Sequence, residues 1–531
     1  MWQVPASRLI FRSGPGLVSC DRDGSVASVV HADQPDLNYL SGATVTNLRV
    51  DGRPVGRVAP EVLADVDEVE FVYTYPGVLR LVVRHTFAAG WGIRMVFMSL
   101  SATPQTVDEA EFLLRPQGGC VAWALAAGVR AMYSIAPATG TGAVLGGLLR
   151  LGSVERATDS GLELARFELE PQARYVVQTQ WDWYATPRTF GQLGYPETPR
   201  SLFLFSGQSV QLEVDDDVAV LAPSDLETSQ RDGRLDVLSD ISGTYPMELR
   251  SARGTTTFDL QWVEPVEELL RSLTDQALFG PRAASGVIKL AGVADALIVQ
   301  HALALARIDD PDEAADALDL FTARLGGADR LSPLETAYLC REYDRNGDLD
   351  QLRLAADAVL CQSSIVPGLG IAATQLCVGL MVSGHPVGPV MSHLLQLIVG
   401  LEAGDEQLPS AAALSPAAAA LELIAVTSAG PGASGATQST IEVAPRIAAL
   451  GLHLGAGLKG RALSPLPVAD LSHLIAVFGL LPDGLSAQLE DIWGCSAHVL
   501  ASRARPELVA RLAGLPIGDA HAWLVLALQT D

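Results

Sequence analysis

The hydrophobic period of this chain changes once, near residue 262, and that change dictates two kinds of structure in one polypeptide. Before it, Glu68–Tyr75, Val78–Phe87, Arg94–Leu100 and Ser201–Phe205 alternate or run apolar over strand lengths. Of the 31 aromatic residues, 24 lie in 1–262, where aromatic and β-branched side chains favour strands. Asp23-Gly24, Asp51-Gly52 and Asp232-Gly233 punctuate the segments, because Asp-Gly tolerates the positive φ of tight hairpins. Residues 1–262 are expected to form an antiparallel β-sandwich, and residues 263–531 a helical domain.

The second half is rich in Ala and Leu, and Leu-Ser-Pro recurs at 331–333, 414–416 and 463–465. In each, Ser suits the N-cap and Pro the first helical position. With the Gly and Pro breaks, this predicts twelve or thirteen helices near 265–279, 287–307, 312–325, 333–345, 349–362, 370–382, 387–402, 416–428, 440–454, 466–480, 485–502, 506–513 and 519–529. Helices near 287–307, 370–382, 416–428 and 466–480 carry almost no charge, whereas 312–325 and 349–362 show polar faces. The alternation predicts an inner and an outer ring, an all-α helical-hairpin toroid of (α/α)6 type, with an open superhelix of helix pairs as the alternative.

Composition narrows the partners. A net charge of −25 with only two lysines, Lys289 and Lys459, argues against binding nucleic acid, which needs clustered cations. The six cysteines are scattered without a C-x-x-C pair, and no His spacing suits a metal, so no cofactor is expected. Residues 358–401 carry no Asp, Glu, Lys or Arg, but prolines break them into pieces too short for a bilayer, so no membrane partner is expected. The opening residues lack the apolar run of a secretory signal, and a cytoplasmic location is expected.

Three motifs dissolve on inspection. The G-x-G-x-x-G at 455–460 follows a helical run and reads as a helix exit, and Asp344–Asp350 lacks the bidentate Glu of a calcium loop. Pro311 makes Asp309–Glu313 a helix start instead of an acidic metal motif. Glu422 is different: it stands alone in AAAALELIAV, where a charge needs a partner or must face the ring cavity.

Residues 341–360, REYDRNGDLDQLRLAADAVL, resemble the helix–Gly-Asp–helix hairpin of six-hairpin glycosidases, whose chains also pass from an N-terminal β-sandwich into an (α/α)6 toroid. The resemblance implies a carbohydrate substrate and acidic residues on loops leading into the inner helices. On that basis Asp329, Glu335, Asp405 and Glu406 are the candidate catalytic acids, one protonating the leaving oxygen while another activates water or attacks. The net charge favours a neutral oligosaccharide or glycoside. In the β half, the cluster Trp181-Asp182-Trp183-Tyr184 and the Pro/Gly-rich loop Ala185–Arg200 offer Trp183, Arg188 and Tyr195 as substrate-binding residues, with the loop expected at the domain junction. A non-catalytic carbohydrate-binding or scaffold protein is the alternative, because the helical half is poor in aromatic residues. Another helical-ring enzyme, such as a lyase or a terpenoid cyclase, is the third.

Overall fold

The computed structural model describes residues 8–193, 202–215, 217–282, 286–402, 414–429 and 443–528. The chain divides into two compact units. The first is Met1–Trp262 with Gly455–Pro465 and Asp491–Trp493, and the second is Val263–Leu454, Leu466–Glu490 and Gly494–Asp531.

The first unit is built on two nine-stranded antiparallel sheets. One runs from Arg8–Ser13 through Leu40–Val50 and Gln105–Pro116 to Val154–Thr158, and the other from Arg461–Ala462 and Cys120–Leu125 through Arg174–Tyr184 and Trp91–Ser99 to Glu61–Ala64. Inward side chains of both sheets, among them Phe11, Phe71, Phe97, Phe112 and Trp181, share one core. This is the expected sandwich, produced by period-2 alternation such as that of Leu79–Thr86, where Leu79, Leu81, Val83 and His85 are buried and the residues between them face outward. The Asp-Gly turns close hairpins as expected, with Asp51 at φ 51° followed by Gly52 at 72°, and Asp232 at 51° followed by Gly233 at 74°. A smaller pair of sheets, four-stranded and three-stranded, follows within 203–263 around a separate core of Val237, Met247, Leu260 and Trp262.

The second half of the chain completes the large sandwich. Arg461–Ala462 pairs with Trp123 and Ala124 at the sheet edge, and Leu463 donates its N–H to the Ala122 carbonyl. This pairing explains why Leu-Ser-Pro at 463–465 begins no helix: the chain there is still bound to a sheet, and the next helix starts after Pro467. The segment 185–200, expected as a loop, contains a short helix, α1 (Pro187–Leu193), whose Phe190 and the Tyr184 ring cover Gly146.

The second unit carries α2 (Val266–Leu278), α3 (Val293–Ala304), α4 (Pro311–Leu325), α5 (Pro333–Asn346), α6 (Leu349–Leu360), α7 (Leu369–Val382), α8 (Gly388–Glu402), α9 (Leu414–Ala429), α10 (Val443–Lys459), which ends in the first unit, and α11 (Val468–Gly479). The short α12 (Asp483–Ser486) and α13 (Glu490–Trp493) precede α14 (Ala497–Leu512) and α15 (Asp519–Ala527). Helices α3, α5, α7, α9, α11 and α15 each pack on the next, and α15 packs on α3, so the inner ring closes. Closure settles the choice between a ring and an open superhelix. The alternation has a visible cause: α3 buries Ala296, Leu297, Ile298 and Val299 in succession, whereas α4 buries only the stripe Ala314, Ala317, Leu318, Phe321 and Leu325.

Helix starts follow their caps. Ser332 and Glu335 form a capping box at α5, and Asp310 caps α4 by accepting from the Glu313 N–H. Gly347, at φ 73°, ends α5 and Asp348 caps α6, which is the structural work of the Gly-Asp turn in the glycosidase-like segment. One expectation fails near the C-terminus. Residues 485–502 and 506–513 do not form two helices; α14 runs through Pro506. The proline removes one backbone hydrogen bond, but Ala504, Pro506, Leu508 and Leu512 are all buried, and their packing carries the helix past the break. No described helix is long and apolar enough to cross a membrane.

Candidate functional site

Glu422 sits in the third turn of α9, surrounded by Ala and Leu, and is 3% exposed. A lone carboxylate there must be compensated. It accepts hydrogen bonds from the backbone N–H groups of Gly368 at 2.9 Å, Gly370 at 3.0 Å and Ile371 at 3.2 Å, and it is paired with His473 Nε2 of α11. Gly368 is the N-cap of α7 and has no side chain with which to cap it. The carboxylate therefore supplies the cap from another helix, where the dipole of α7 favours negative charge.

Gly368 has φ 88°, and a Cβ there would run into the Trp523 ring of α15 and stand 3.1 Å from Pro333 Cβ at the start of α5. Trp523 also lies with its ring centroid 4.8 Å from that of His473. Five of the six inner helices thus converge on one point, α5 and α7 through their first turns. His473 is 3% exposed and Trp523 7%. A carboxylate with every direction taken and no exposed face acts as an anchor and does not receive substrate.

A second buried network links α3, α4 and α5. Glu342, fully buried, accepts from Gln300 and from Arg345, which also reaches Asp319. Tyr338 shares its hydroxyl with Thr322, and burial pushes that phenol far above its ordinary range. His301 nearby is held down to about 4 by burial and then by the Arg341 and Arg307 guanidiniums.

The expected acids are separated by their surroundings. Asp329 is exposed in the turn before α5. Glu335 is partly buried, and its carboxylate accepts the Ser332 N–H at 2.7 Å within the capping box. Asp405 and Glu406 lie outside the described residues. Arg282 is paired with Glu313, Arg461 bonds Asp159 at 2.8 Å, and Arg330, adjacent to Asp329 in sequence, is exposed. Among the described residues no group of His, Cys, Asp and Glu has the arrangement of a metal site.

In the β unit, strand alternation places Trp181 and Trp183 on one face as expected. Trp181 is buried over Gly147, and the half-buried Trp183 meets His31 and Tyr39 edge-on with centroids 4.8 and 4.9 Å away. Arg188 is exposed on α1, and Tyr195 lies outside the described residues. Asp182, on the opposite face from the tryptophans, has its carboxyl raised by partial burial, partly offset by Gln180 and Arg150.

Sequence reasoning singles out Glu422 but misses His473 and Trp523. Leu-Ser-His-Leu in an apolar helix carries no spacing signal, and the only local hint is Gly-Leu-Gly at 368–370, two glycines where a helix begins.

The fold defines a class: an antiparallel β-sandwich unit followed by a ring of helical hairpins. Neither a family model nor a curated protein sequence matches the chain. Among solved structures it is similar to a polysaccharide lyase, with a TM-score of 0.68 at 12% sequence identity, covering 95% of this chain and 93% of that one.

Proposed function

We propose that this chain is a carbohydrate-active protein whose glycan site lies where the loops enter the inner helical ring. The observation that carries the reading is fold likeness along almost the whole of both chains to a polysaccharide lyase. Taken with the closed ring, it favours a glycan as the substrate class. The site acids are Asp329, Glu335, Asp405 and Glu406. Asp329, exposed in the turn before α5, is best placed to meet a sugar, whereas Glu335 already serves the capping box. Trp183, Arg188 and Tyr195 are the proposed sugar contacts of the β unit.

The reaction is glycoside hydrolysis. One carboxylic acid protonates the leaving glycosidic oxygen, and a second carboxylate activates water or attacks the anomeric carbon. A neutral glycan is the preferred substrate, because a net charge of −25 repels polyanions at long range. A lyase would instead need a base to remove the proton beside a uronate carboxylate and a cation to neutralise that carboxylate. Arg330, exposed and adjacent to Asp329 in sequence, is one cation among the described residues that could serve.

One observation favours a non-catalytic glycan-binding protein as the second reading: Glu335 and Glu422, two of the acids in the inner helices, are both engaged with backbone N–H groups. The test is a panel of neutral and uronate-containing polysaccharides, scored for new reducing ends and for the ultraviolet absorbance of an unsaturated uronate. Reducing ends alone identify a hydrolase, and both signals together a lyase. Binding without either makes it a glycan-binding scaffold. Neither binding nor cleavage across the panel overturns the carbohydrate reading.

A further inference from the structure

A carboxylate and an imidazole, each 3% exposed, sit inside a ring of Ala and Leu where apolar residues of similar volume would pack without a desolvation cost. Buried pairs of this kind are best accounted for by the geometry they impose. Three facts show which geometry. Gly368, the N-cap of α7, offers no side chain, and the N–H groups of Gly368, Gly370 and Ile371 all point at Glu422. Gly370 lets the α7 backbone touch that of α9, since a Cβ there would stand 2.5 Å from the Glu422 carbonyl carbon. His473 holds the carboxylate from the third side, and Trp523 closes over both His473 and Gly368.

We propose that Glu422 is an internal anion that assembles one end of the helical ring. Its carboxylate occupies the anion site made by the first turn of α7 and, clamped by His473, sets the register of α7 against α9, α11 and α15. Glu422 is thus a positioning residue, and Gly368, Gly370, His473 and Trp523 form the socket in which it is held. The role stands independently of any glycan.

The test uses the full-length protein. Glu422→Gln keeps the volume but turns an amide NH2 towards backbone N–H groups that can only donate, whichever way the amide is oriented, and its Tm should fall by on the order of 10 °C. Hydrogen exchange then locates the effect: the amides of Gly368, Gly370 and Ile371 should lose protection while those in the middle of α9 keep it. In Glu422→Ala, sodium formate should recover part of the lost Tm where sodium chloride at the same concentration does not, because formate can refill the anion site. A Glu422→Gln protein that melts with the wild type would overturn the proposal, and so would protection lost evenly along α7 and α9. If neither Glu422 variant folds, His473→Gln, which leaves the three amide bonds in place, is measured by the same exchange experiment, with the same local pattern expected and an even loss counting against the idea. None of these readouts involves a sugar, so their failure leaves the carbohydrate reading standing, and the failure of that reading leaves the anion role standing.

Discussion

Gly370 and Glu422 bring two inner helices into backbone contact, with space between them for hydrogen and nothing larger. Gly370→Ala should therefore force α7 away from α9 and destabilise the helical unit by about 1–3 kcal/mol, the usual cost of overpacking. Urea unfolding of the full chain followed by far-ultraviolet circular dichroism reads this. A variant as stable as the wild type would mean the two helices are not held at that distance.

Glu335 offers a clean separation of structural and chemical duty. Gln serves in a capping box as Glu does, so Glu335→Gln should leave Tm nearly unchanged, whereas Ser332→Ala should cost about 1 kcal/mol through the lost N-cap. If Glu335 also acts as acid or base on a glycan, the same Gln variant should lose roughly 100-fold or more in turnover. Unchanged turnover in Glu335→Gln would leave Asp329 as the described acid to pursue.

Acid should weaken the fold through histidines that are buried neutral. Burial holds His85 down to about 3 from an ordinary 6.5, and His301 and His453 down to about 4. The unfolded chain takes up these protons near pH 6.5 and the folded chain does not, so stability falls as pH drops from 6.5 towards those lowered values. For His85 the slope is about 1.4 kcal/mol per pH unit. Its Nδ1 accepts the Trp91 indole N–H at 3.1 Å, and His85→Gln can keep an acceptor there without a titrating proton. Thermal melts between pH 6.5 and 4 should show a shallower decline in that variant; an identical slope would count against this source.

Trp493 belongs to the β unit although it lies late in the chain. It packs against Trp123 with centroids 5.9 Å apart and against Gly455, where a Cβ would meet its ring at 2.5 Å. Trp493→Ala should cost about 3–5 kcal/mol. The loss should appear in the near-ultraviolet signal of the β unit. A loss confined to the helical signal would assign Trp493 to the wrong unit.

The division at 262 is legible because burial on one sheet face and burial on a helix stripe impose different periods, visible in Leu79–Thr86 and in α4. Ring closure is the reading the buried and amphipathic alternation favours, but an open superhelix of helix pairs would alternate in the same way, since the packing of α15 on α3 depends on no local pattern. Arg461–Ala462 could not be read at all: two residues carry no period, and the Leu-Ser-Pro after them mimics a helix start. Pro506 reads as a helix break in sequence because local propensity does not contain the burial that overrides it. At the candidate site, Glu422 announced itself by polarity in an apolar run, while His473 and Trp523 are ordinary in sequence and become special only where five helices meet.

The pairing of Arg461–Ala462 with Cys120–Leu125 also orders events in time. A ribosome releases the β half first, but the edge at Cys120–Leu125 has no partner strand until the chain has been made past residue 462, and Trp123 no Trp493 until it is past 493. Through that interval an open strand edge is available to other chains, the situation in which sheets aggregate. The half of the protein that is synthesised first stays unfinished until most of the second half has been made.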